Sequence, residues 1–358
     1  MMLSDFGGFA PAAAAEIRRI GDLETLRRAV ADCAAHGRRI RTRCFSHSMN
    51  GMSVPAPGET VLDMTGVRHV AWKETEGTVM AGAGLSAWEL DQHVRRFGWK
   101  LPVINDGSAE APSLGGFVAA GGIGEGSVFY GGFWETVRAL TIVTGAGEVR
   151  RFARGDRAFP WLFGAMGSFG VVHEVEIELV PEGVDAPRPV EPSASLPKSP
   201  PVQWPDHLWL TMFVPVERRD EGVERLAALV AAHPAAWDPQ SPYEYYLTRR
   251  SFNPPLVLGG EDGDFVALGV WGNRLGDGDL GPYLAMETDF QAMIENRGFR
   301  RYFQSELIRR RRPLERYVGA ACAERFRALK VTLDPHGLLN AFMPERTANA
   351  SRGLTAGR

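Results

Sequence analysis

The spacing of apolar residues in the first half of the chain predicts a sheet-rich unit with two helices. Asp22 is expected to cap the first helix and Gly37 to end it. The apolar positions of this helix recur at helical spacing and are Leu23, Leu26, Val30 and Cys33. The second helix is expected from Ser86 to about Phe97. Alternating or short apolar runs predict strands at residues 15–20, 39–42, 60–64, 67–72, 78–82, 137–144, 148–152 and 173–180.

The composition changes sharply after Pro181, where prolines crowd a stretch that is the predicted boundary between two domains. Beyond it, strands are expected at residues 207–214, 243–249 and 265–271, and helices at 217–233 and 282–296. This order of elements favours an antiparallel sheet with helices on one face. A last helix over 314–333 is expected to return the chain to the first domain. The predicted organisation is a first domain at 1–183, a linker at 184–205, a second domain at 206–313 and a returning segment at 314–358.

Composition and charge exclude several classes of protein. The 358 residues, 44% hydrophobic and 23% charged, are typical of an ordinary soluble globular protein and are enough for two domains. The net charge of −3 shows no excess of basic residues of the kind that binds nucleic acid. No apolar run approaches the roughly 20 residues that a membrane-spanning helix needs. Cys33, Cys44 and Cys322 are widely spaced, so neither a disulfide framework nor a metal site is expected. The amino terminus does not resemble a signal peptide, and we expect a reducing, cytoplasmic location.

One histidine stands between two serines in a turn that follows a predicted strand. The segment runs Arg43-Cys44-Phe45-Ser46-His47-Ser48-Met49-Asn50-Gly51. Small hydroxyl residues and Asn-Gly favour a turn whose backbone N–H groups point outward, a shape that suits a phosphate. A histidine within such a loop can also bond covalently to the molecule that carries the phosphates. A plain surface histidine is the alternative when this segment is considered alone.

A glycine-rich segment runs from Ser113 to Gly124 and continues to Gly132. It fails the dinucleotide fingerprint, because Ser127 stands where a third glycine is needed and no helix is expected to follow. Its glycines can still let the backbone approach a flat, pyrophosphate-linked ligand, and a merely flexible loop is the alternative. A third segment, Gly167-Ser168-Phe169-Gly170-Val171-Val172, leads into the predicted strand at 173–180.

In this order the three segments resemble the flavin domain of the vanillyl-alcohol oxidase superfamily, which includes cytokinin dehydrogenase, berberine bridge enzyme and the alditol and aldonolactone oxidases. The resemblance covers residues 13–181 and reappears at 326–330 and 333–340. It implies a PCMH-type FAD-binding fold, with a small antiparallel sheet-and-helix substrate domain beside it, and FAD as cofactor. It also implies a set of cofactor contacts: Ser46, His47, Ser48, Ser113, Gly115, Gly116, Ala119, Gly122, Ile123, Gly170, Val172 and Asn340.

The resemblance also implies that FAD is attached covalently through His47. In relatives with Arg-Gly-x-Gly-His-Ser, a ring nitrogen of the histidine bonds the 8α-methyl carbon of the flavin. This chain has Cys44, Phe45 and Ser46 before the histidine instead of that glycine pattern, so a loop of different shape is expected. Ala109 occupies the position of a second, cysteinyl tether, and no second link is expected.

The candidate catalytic residues are Asp106, Glu110 and Lys330. The catalytic aspartate of cytokinin dehydrogenase falls on Ser108, two residues from Asp106. A carboxylate there suits a general base that takes a hydroxyl or amine proton as hydride leaves, and Glu110 has a similar claim. Lys330 and Asn340 match the carboxyl-terminal turn of the sugar and lactone oxidases. The alternatives, a turn residue at 106 and an ordinary helix-end residue at 330, stay open.

The second predicted domain offers aromatic residues for a substrate. Strand alternation places Tyr243, Tyr245 and Arg249 on one face and Glu244 and Tyr246 on the other. Trp271 and Asn273 share one face of the next strand. Packing inside the domain is the alternative for each aromatic side chain.

The expected function is that of an FAD-dependent oxidase or dehydrogenase. It would remove a hydride from a C–H next to a hydroxyl or amine of a small molecule and pass the electrons to dioxygen or another acceptor. A flavin-binding cyclase or isomerase without net redox turnover is the alternative, and a scaffold that binds no flavin is a third.

Overall fold

Short strands and helices follow one another along the chain in mixed order, as expected for an α+β protein. A computed structural model of the chain describes residues 2–6, 11–48, 51–73, 76–105, 112–124, 126–183, 207–236, 243–273, 281–305 and 313–339. The strands are β1 (Met2–Leu3), β2 (Ala12–Ala13), β3 (Glu16–Arg19), β4 (Ile40–Arg43), β5 (Thr60–Asp63), β6 (Val70–Lys73), β7 (Thr78–Gly82), β8 (Trp99–Lys100), β9 (Val137–Val143), β10 (Val149–Ala153), β11 (Val171–Glu178), β12 (Val180–Pro181), β13 (His207–Pro215), β14 (Tyr243–Leu247), β15 (Phe265–Asn273) and β16 (Arg300–Arg301). The helices are α1 (Leu23–Ala35), α2 (Ala87–Arg95), α3 (Leu114–Ala120), α4 (Ser127–Tyr130), α5 (Arg219–Ala232), α6 (Pro255–Leu258), α7 (Gly281–Arg297), α8 (Glu315–Val318) and α9 (Ala320–Leu333).

Three parallel strands in the order β3-β5-β4 form the first sheet, and α1 shares a core with it. Asp22 caps α1 by accepting a hydrogen bond from Thr25 N at 2.7 Å, as its sequence position predicts. The late part of the chain also joins this sheet, because Ile40 N donates to Leu338 O at 2.8 Å. The strand that leads into the His47 loop is therefore held by β5 and by the late segment of the chain.

Five antiparallel strands in the order β10-β9-β11-β7-β6 form the second sheet. Ser86 caps helix α2, and its hydroxyl and backbone N–H exchange hydrogen bonds with Glu89 in a capping box. Helices α2 and α3 bury their apolar side chains in the core that also holds the inner face of this sheet. Because α3 contains the start of the glycine-rich segment, its packing on this sheet sets the position of that segment.

Four antiparallel strands in the order β14-β15-β13-β16 form the third sheet. Helices α5 and α7 cover one face through a core that includes Leu226, Phe290 and Ile294. From the other face Phe213 and Tyr302 enter the same core as α2 and α3. The predicted antiparallel sheet with helices on one face is thus confirmed.

Most predicted elements are confirmed with shifted ends, and three features differ. Helix α3 and the short α4 lie in the glycine-rich region, where no helix was expected, and the apolar side chains of α3 are buried despite its glycines. The predicted last helix is wrong as one piece, because Gly319 at φ 79° separates α8 from α9. The antiparallel pair β1–β2 was not predicted. The predicted linker lies almost wholly outside the described residues, so the domain boundary stays a prediction.

Candidate functional site

The end of β4 lies against the start of α3. The Cys44 thiol donates to Gly84 O at 3.6 Å and also hydrogen-bonds the Ser113 side chain. Burial raises the pKa of Cys44 to about 11, so this group stays a neutral thiol. Gly115 N donates to Ala83 O at 3.0 Å. The His47 loop, the turn after β7 and the glycine-rich segment therefore meet in one place.

The third sequence segment reaches the same place from the other end of α3. Met166 N donates to Ala119 O at 2.9 Å and Gly164 N donates to Val118 O at 3.2 Å. A side chain at Gly167 would begin 3.5 Å from Thr42 Oγ1 on β4. The turn at 164–170 therefore spans the distance between the end of α3 and the strand before the His47 loop.

The His47 loop adopts a backbone shape that serine rarely takes. Ser46 has φ 60°, in the left-handed region that costs an L-residue about 1–2 kcal/mol. The Phe6 N–H donates to the carbonyls of Ser46 and Ser48 at 2.9 and 3.0 Å, and the Phe6 ring centroid lies 5.0 Å from that of His47. Burial lowers the pKa of His47, which keeps its imidazole neutral at physiological pH.

The glycines of the site divide into two kinds. A Cβ added to Gly122 would fall 1.8 Å from the Phe117 ring, and one added to Gly170 would fall 2.5 Å from the Ile142 side chain. Both positions therefore need glycine for internal packing, whatever else binds there. Gly116 differs, because it is exposed and its Cβ would meet only Ser113 Oγ, at 3.0 Å.

The exposed backbone at Gly116 is the feature that fits a flat, phosphate-linked cofactor. Gly115 beside it is half-buried and would place a Cβ 3.0 Å from the Ala83 side chain. Among the other predicted contacts, Ile123 is buried and Ala119 and Val172 are half-buried. Close approach of a ligand to this backbone is possible where side chains are missing.

Lys330 lies on α9 and ties three parts of the chain together. Its Nζ donates to Ser168 O at 2.8 Å, to Leu339 O at 2.6 Å and to Asp334 Oδ2 at 2.5 Å. These bonds use all three donors of the ammonium group. Lys330 thereby holds the turn at 164–170 in place, and its catalytic role beside the flavin stays a prediction.

Three predicted site residues lie outside the described residues, namely Asp106, Glu110 and Asn340, and so does Ala109. Their roles stay predictions.

The face of the third sheet turned toward α3 carries aromatic side chains. Tyr243 is buried, its hydroxyl hydrogen-bonds Trp209 Nε1 and Thr211 Oγ1, and burial raises its pKa. The Tyr245 ring lies 5.5 Å from that of Tyr243. Tyr302 donates from its hydroxyl to Gly121 O at 3.2 Å. The aromatic face therefore contacts the end of α3.

The opposite face of β14 follows the predicted alternation. Glu244 pairs with Arg219 on α5 at 2.6 Å, and Tyr246 packs on the helix-side core. Arg249, predicted on the same face as Tyr243, lies beyond the end of β14, where it is exposed and pairs with Asp262 at 2.8 Å. The side chains of Trp271 and Asn273 are outside the description.

Glu135 lies in the turn just before β9 and contacts the loop after β14, a contact that the sequence did not predict. Its buried carboxylate accepts hydrogen bonds from the N–H groups of Arg250 and Ser251, both at 2.8 Å, and of Phe252 at 3.2 Å. Trp134 Nε1 donates to Phe252 O at 3.2 Å. No local pattern indicates this contact, because the partners lie more than a hundred residues apart.

The described ranges contain neither a candidate metal cluster nor a candidate membrane-spanning helix. Among those residues, no group of three or more His, Cys, Asp or Glu side chains is placed to hold a metal ion. Within the same part of the chain, no helix is long and apolar enough to cross a membrane.

Comparison with known proteins agrees with this geometry. Residues 14–153 match the family described as FAD binding domain. An alditol oxidase from Streptomyces sp. (strain IKD472 / FERM P-14339) is 32% identical over 136 residues, which are 38% of this chain and 32% of that protein. The matched part thus spans about a third of the relative's length. Residues 14–153 thus form an FAD-binding domain, and FAD is its cofactor.

Proposed function

We propose that the chain is an FAD-dependent oxidoreductase that removes a hydride from a C–H next to a hydroxyl or amine of a small molecule. The observation that carries the proposal is the FAD-binding match over 14–153, in the region where the His47 loop meets the start of α3. Dioxygen or another acceptor takes the electrons. Alditols are the first substrates to test, because the similar protein is named an alditol oxidase.

The residues proposed to hold FAD are those around the meeting point of the three segments. The exposed backbone at Gly116, with half-buried Gly115 beside it, supports a close approach of the cofactor, and Ser46, Ser48 and Ser113 supply hydroxyl groups nearby. Ala119, Ile123 and Val172 supply apolar contacts. Gly122 and Gly170 contribute by shaping the backbone, since their Cβ positions are filled by Phe117 and Ile142. When bound, FAD supplies the redox chemistry, while the chain supplies position and a proton acceptor.

His47 is the proposed point of covalent attachment. The support is its place in the loop and the burial that keeps one ring nitrogen unprotonated and nucleophilic. Attachment replaces one N–H bond of His47 and one C–H bond of the ring methyl by an N–C bond. Dioxygen takes the two hydrogens and their electrons as hydrogen peroxide.

The third sheet is proposed to form the substrate side of the enzyme, within a domain at 206–313 that follows a linker at 184–205. Its support is the position of this sheet against the end of α3, where Tyr302 donates to Gly121 O; Tyr243 and Tyr302 are themselves buried, and Tyr245 is half-buried. The base is proposed to be Asp106 or Glu110, on the sequence argument alone. We also propose a reducing, cytoplasmic location, which the three free cysteines support.

A spectrum and an anaerobic titration test the proposal. Purified protein reconstituted with FAD is expected to be yellow and to keep its colour in the acid-precipitated pellet. A panel of alditols, other alcohols and amines is then mixed with it without oxygen. Bleaching of the flavin band by a panel member supports oxidation, and product formation without bleaching would point instead to a cyclase or isomerase. Protein that binds no FAD would refute the proposed function.

A further inference from the structure

Residues 4–6 pack on the His47 loop although they precede the FAD-binding match, which begins at residue 14. Arg43, at the start of the loop, donates to Ser4 O at 2.8 Å and to Ser53 O at 3.4 Å. One guanidinium thus ties the amino-terminal segment to both ends of the loop. This contact places Asp5 and Phe6 directly against the residues around His47.

Asp5 holds the carboxyl-terminal side of the loop. Its carboxylate is buried, and Oδ2 accepts hydrogen bonds from Ser48 Oγ at 3.0 Å and from Gly51 N at 2.5 Å. Ser48 Oγ also accepts from Ser53 N at 3.1 Å. The residue after His47 is therefore fixed by a charged acceptor on one side and a backbone donor on the other.

Phe6 holds the histidine itself. Its N–H is shared between the carbonyls of Ser46 and Ser48, the two residues that flank His47. Its ring lies 5.0 Å from the imidazole with an interplanar angle of 40°. The orientation of the peptide units on both sides of His47 thus depends on one backbone group of the amino-terminal segment.

The loop needs this support because Ser46 occupies the left-handed region without being glycine. Such a residue keeps that conformation only where surrounding contacts impose it. In the part of the chain that the structure describes, the contacts that bracket Ser46 to Ser48 include those of Asp5 and Phe6.

We propose that Ser4, Asp5 and Phe6 form a clamp that sets the position of the His47 imidazole, and that Asp5 is a positioning residue for attachment of FAD. This inference rests on the proposed function, since attachment at His47 is part of it. The clamp acts through Ser48 and the loop backbone, so Asp5 needs no contact with the cofactor.

The test compares Asp5→Ala with Asp5→Asn. Alanine removes the acceptor of both hydrogen bonds, whereas asparagine keeps an oxygen in the same place. Apoprotein is mixed with FAD, samples are quenched in acid, and the flavin colour of the pellet is followed with time. Asp5→Ala is expected to slow attachment by about tenfold, and Asp5→Asn to restore the rate to within about threefold of the parent. The matched control is Asp156→Ala, which removes a carboxylate that accepts from Ala153 N at 2.7 Å in the turn after β10.

A second readout needs no bound cofactor. Diethyl pyrocarbonate modifies accessible neutral imidazoles. Peptide mass analysis of the apoprotein then gives the rate at which the reagent modifies His47. The clamp predicts that this rate rises about tenfold in Asp5→Ala and stays unchanged in Asp156→Ala. An unchanged rate in Asp5→Ala overturns the clamp, even if the parent carries covalent FAD. If the unsubstituted protein binds FAD without a covalent link, the proposed attachment at His47 is refuted. The rate of His47 modification in Asp5→Ala then tests the clamp by itself.

Discussion

Replacement of Lys330 by methionine tests whether the turn at 164–170 depends on one buried ammonium group. The Lys330 side chain is 8% exposed and that of its partner Asp334 is fully buried. Methionine keeps the length and apolar stem of the side chain but leaves the Asp334 carboxylate without its counter-charge. Asp334 would retain its bonds from Leu338 N and Leu339 N, at 3.0 and 2.9 Å.

Breaking a buried pair by removing one partner costs about 3–5 kcal/mol, a large share of the roughly 5–15 kcal/mol by which proteins are stable. We therefore expect Lys330→Met to lower the free energy of unfolding by about 3 kcal/mol or more. Adding Asp334→Asn should recover part of the loss, because the uncompensated charge is then gone. FAD affinity should fall as well, since Ser168 O loses its donor.

The assay is urea unfolding followed by tryptophan fluorescence, with midpoint and slope compared between variants. Lys100→Met on β8 is the control, and its effect should stay within about 0.5 kcal/mol. A loss below about 1 kcal/mol for Lys330→Met, with an unchanged slope, would refute the reasoning.

Four further predictions use other parts of the site. Gly122→Ala should destabilise the fold by about 1–3 kcal/mol in urea unfolding, because its Cβ meets the Phe117 ring. Gly116→Ala should leave the unfolding midpoint unchanged and weaken FAD binding, which a titration with FAD can measure. Equal unfolding midpoints for the Gly122 and Gly116 variants would contradict the view that only Gly122 is needed for packing. Glu135→Ala should cost about 2–3 kcal/mol by leaving three backbone donors without their acceptor, with Glu135→Gln milder, as thermal unfolding can show. Burial lowers the pKa of His47 from its usual 6.5, so the rate of FAD attachment should stay high as pH falls to 6.5 and decline only below it; an inflection above 6.5 would contradict the burial argument.

The sequence predicted the elements whose signals are local. Asp22 and Gly37 bracket α1 because capping and helix termination depend on neighbouring residues. Strand β7 matches its predicted range of 78–82, since a short apolar run ahead of a glycine turn is a local pattern. Helix α3 was missed because two of its seven residues are glycine, and only tertiary burial outweighs that low propensity.

Site residues could be predicted from the sequence only where they belong to a recognisable motif. His47, Gly115 and Gly116 follow from the resemblance, and the comparisons agree on the domain to which they belong. Asp5 acts across more than forty residues of sequence, and no period or spacing indicates such a contact. The sequence placed Lys330 near the cofactor, but its engagement with three acceptors is a property of the folded chain.

The bond from Ile40 N to Leu338 O has a consequence for how the protein matures. The strand that presents His47 is synthesised early, yet its edge is completed by residues made almost three hundred positions later. A ribosome-bound chain that lacks this late segment has β4 paired with β5 alone and leaves Ile40 N without this acceptor. Loading of FAD should therefore follow release from the ribosome, and shortened chains ending before residue 330 should emerge colourless.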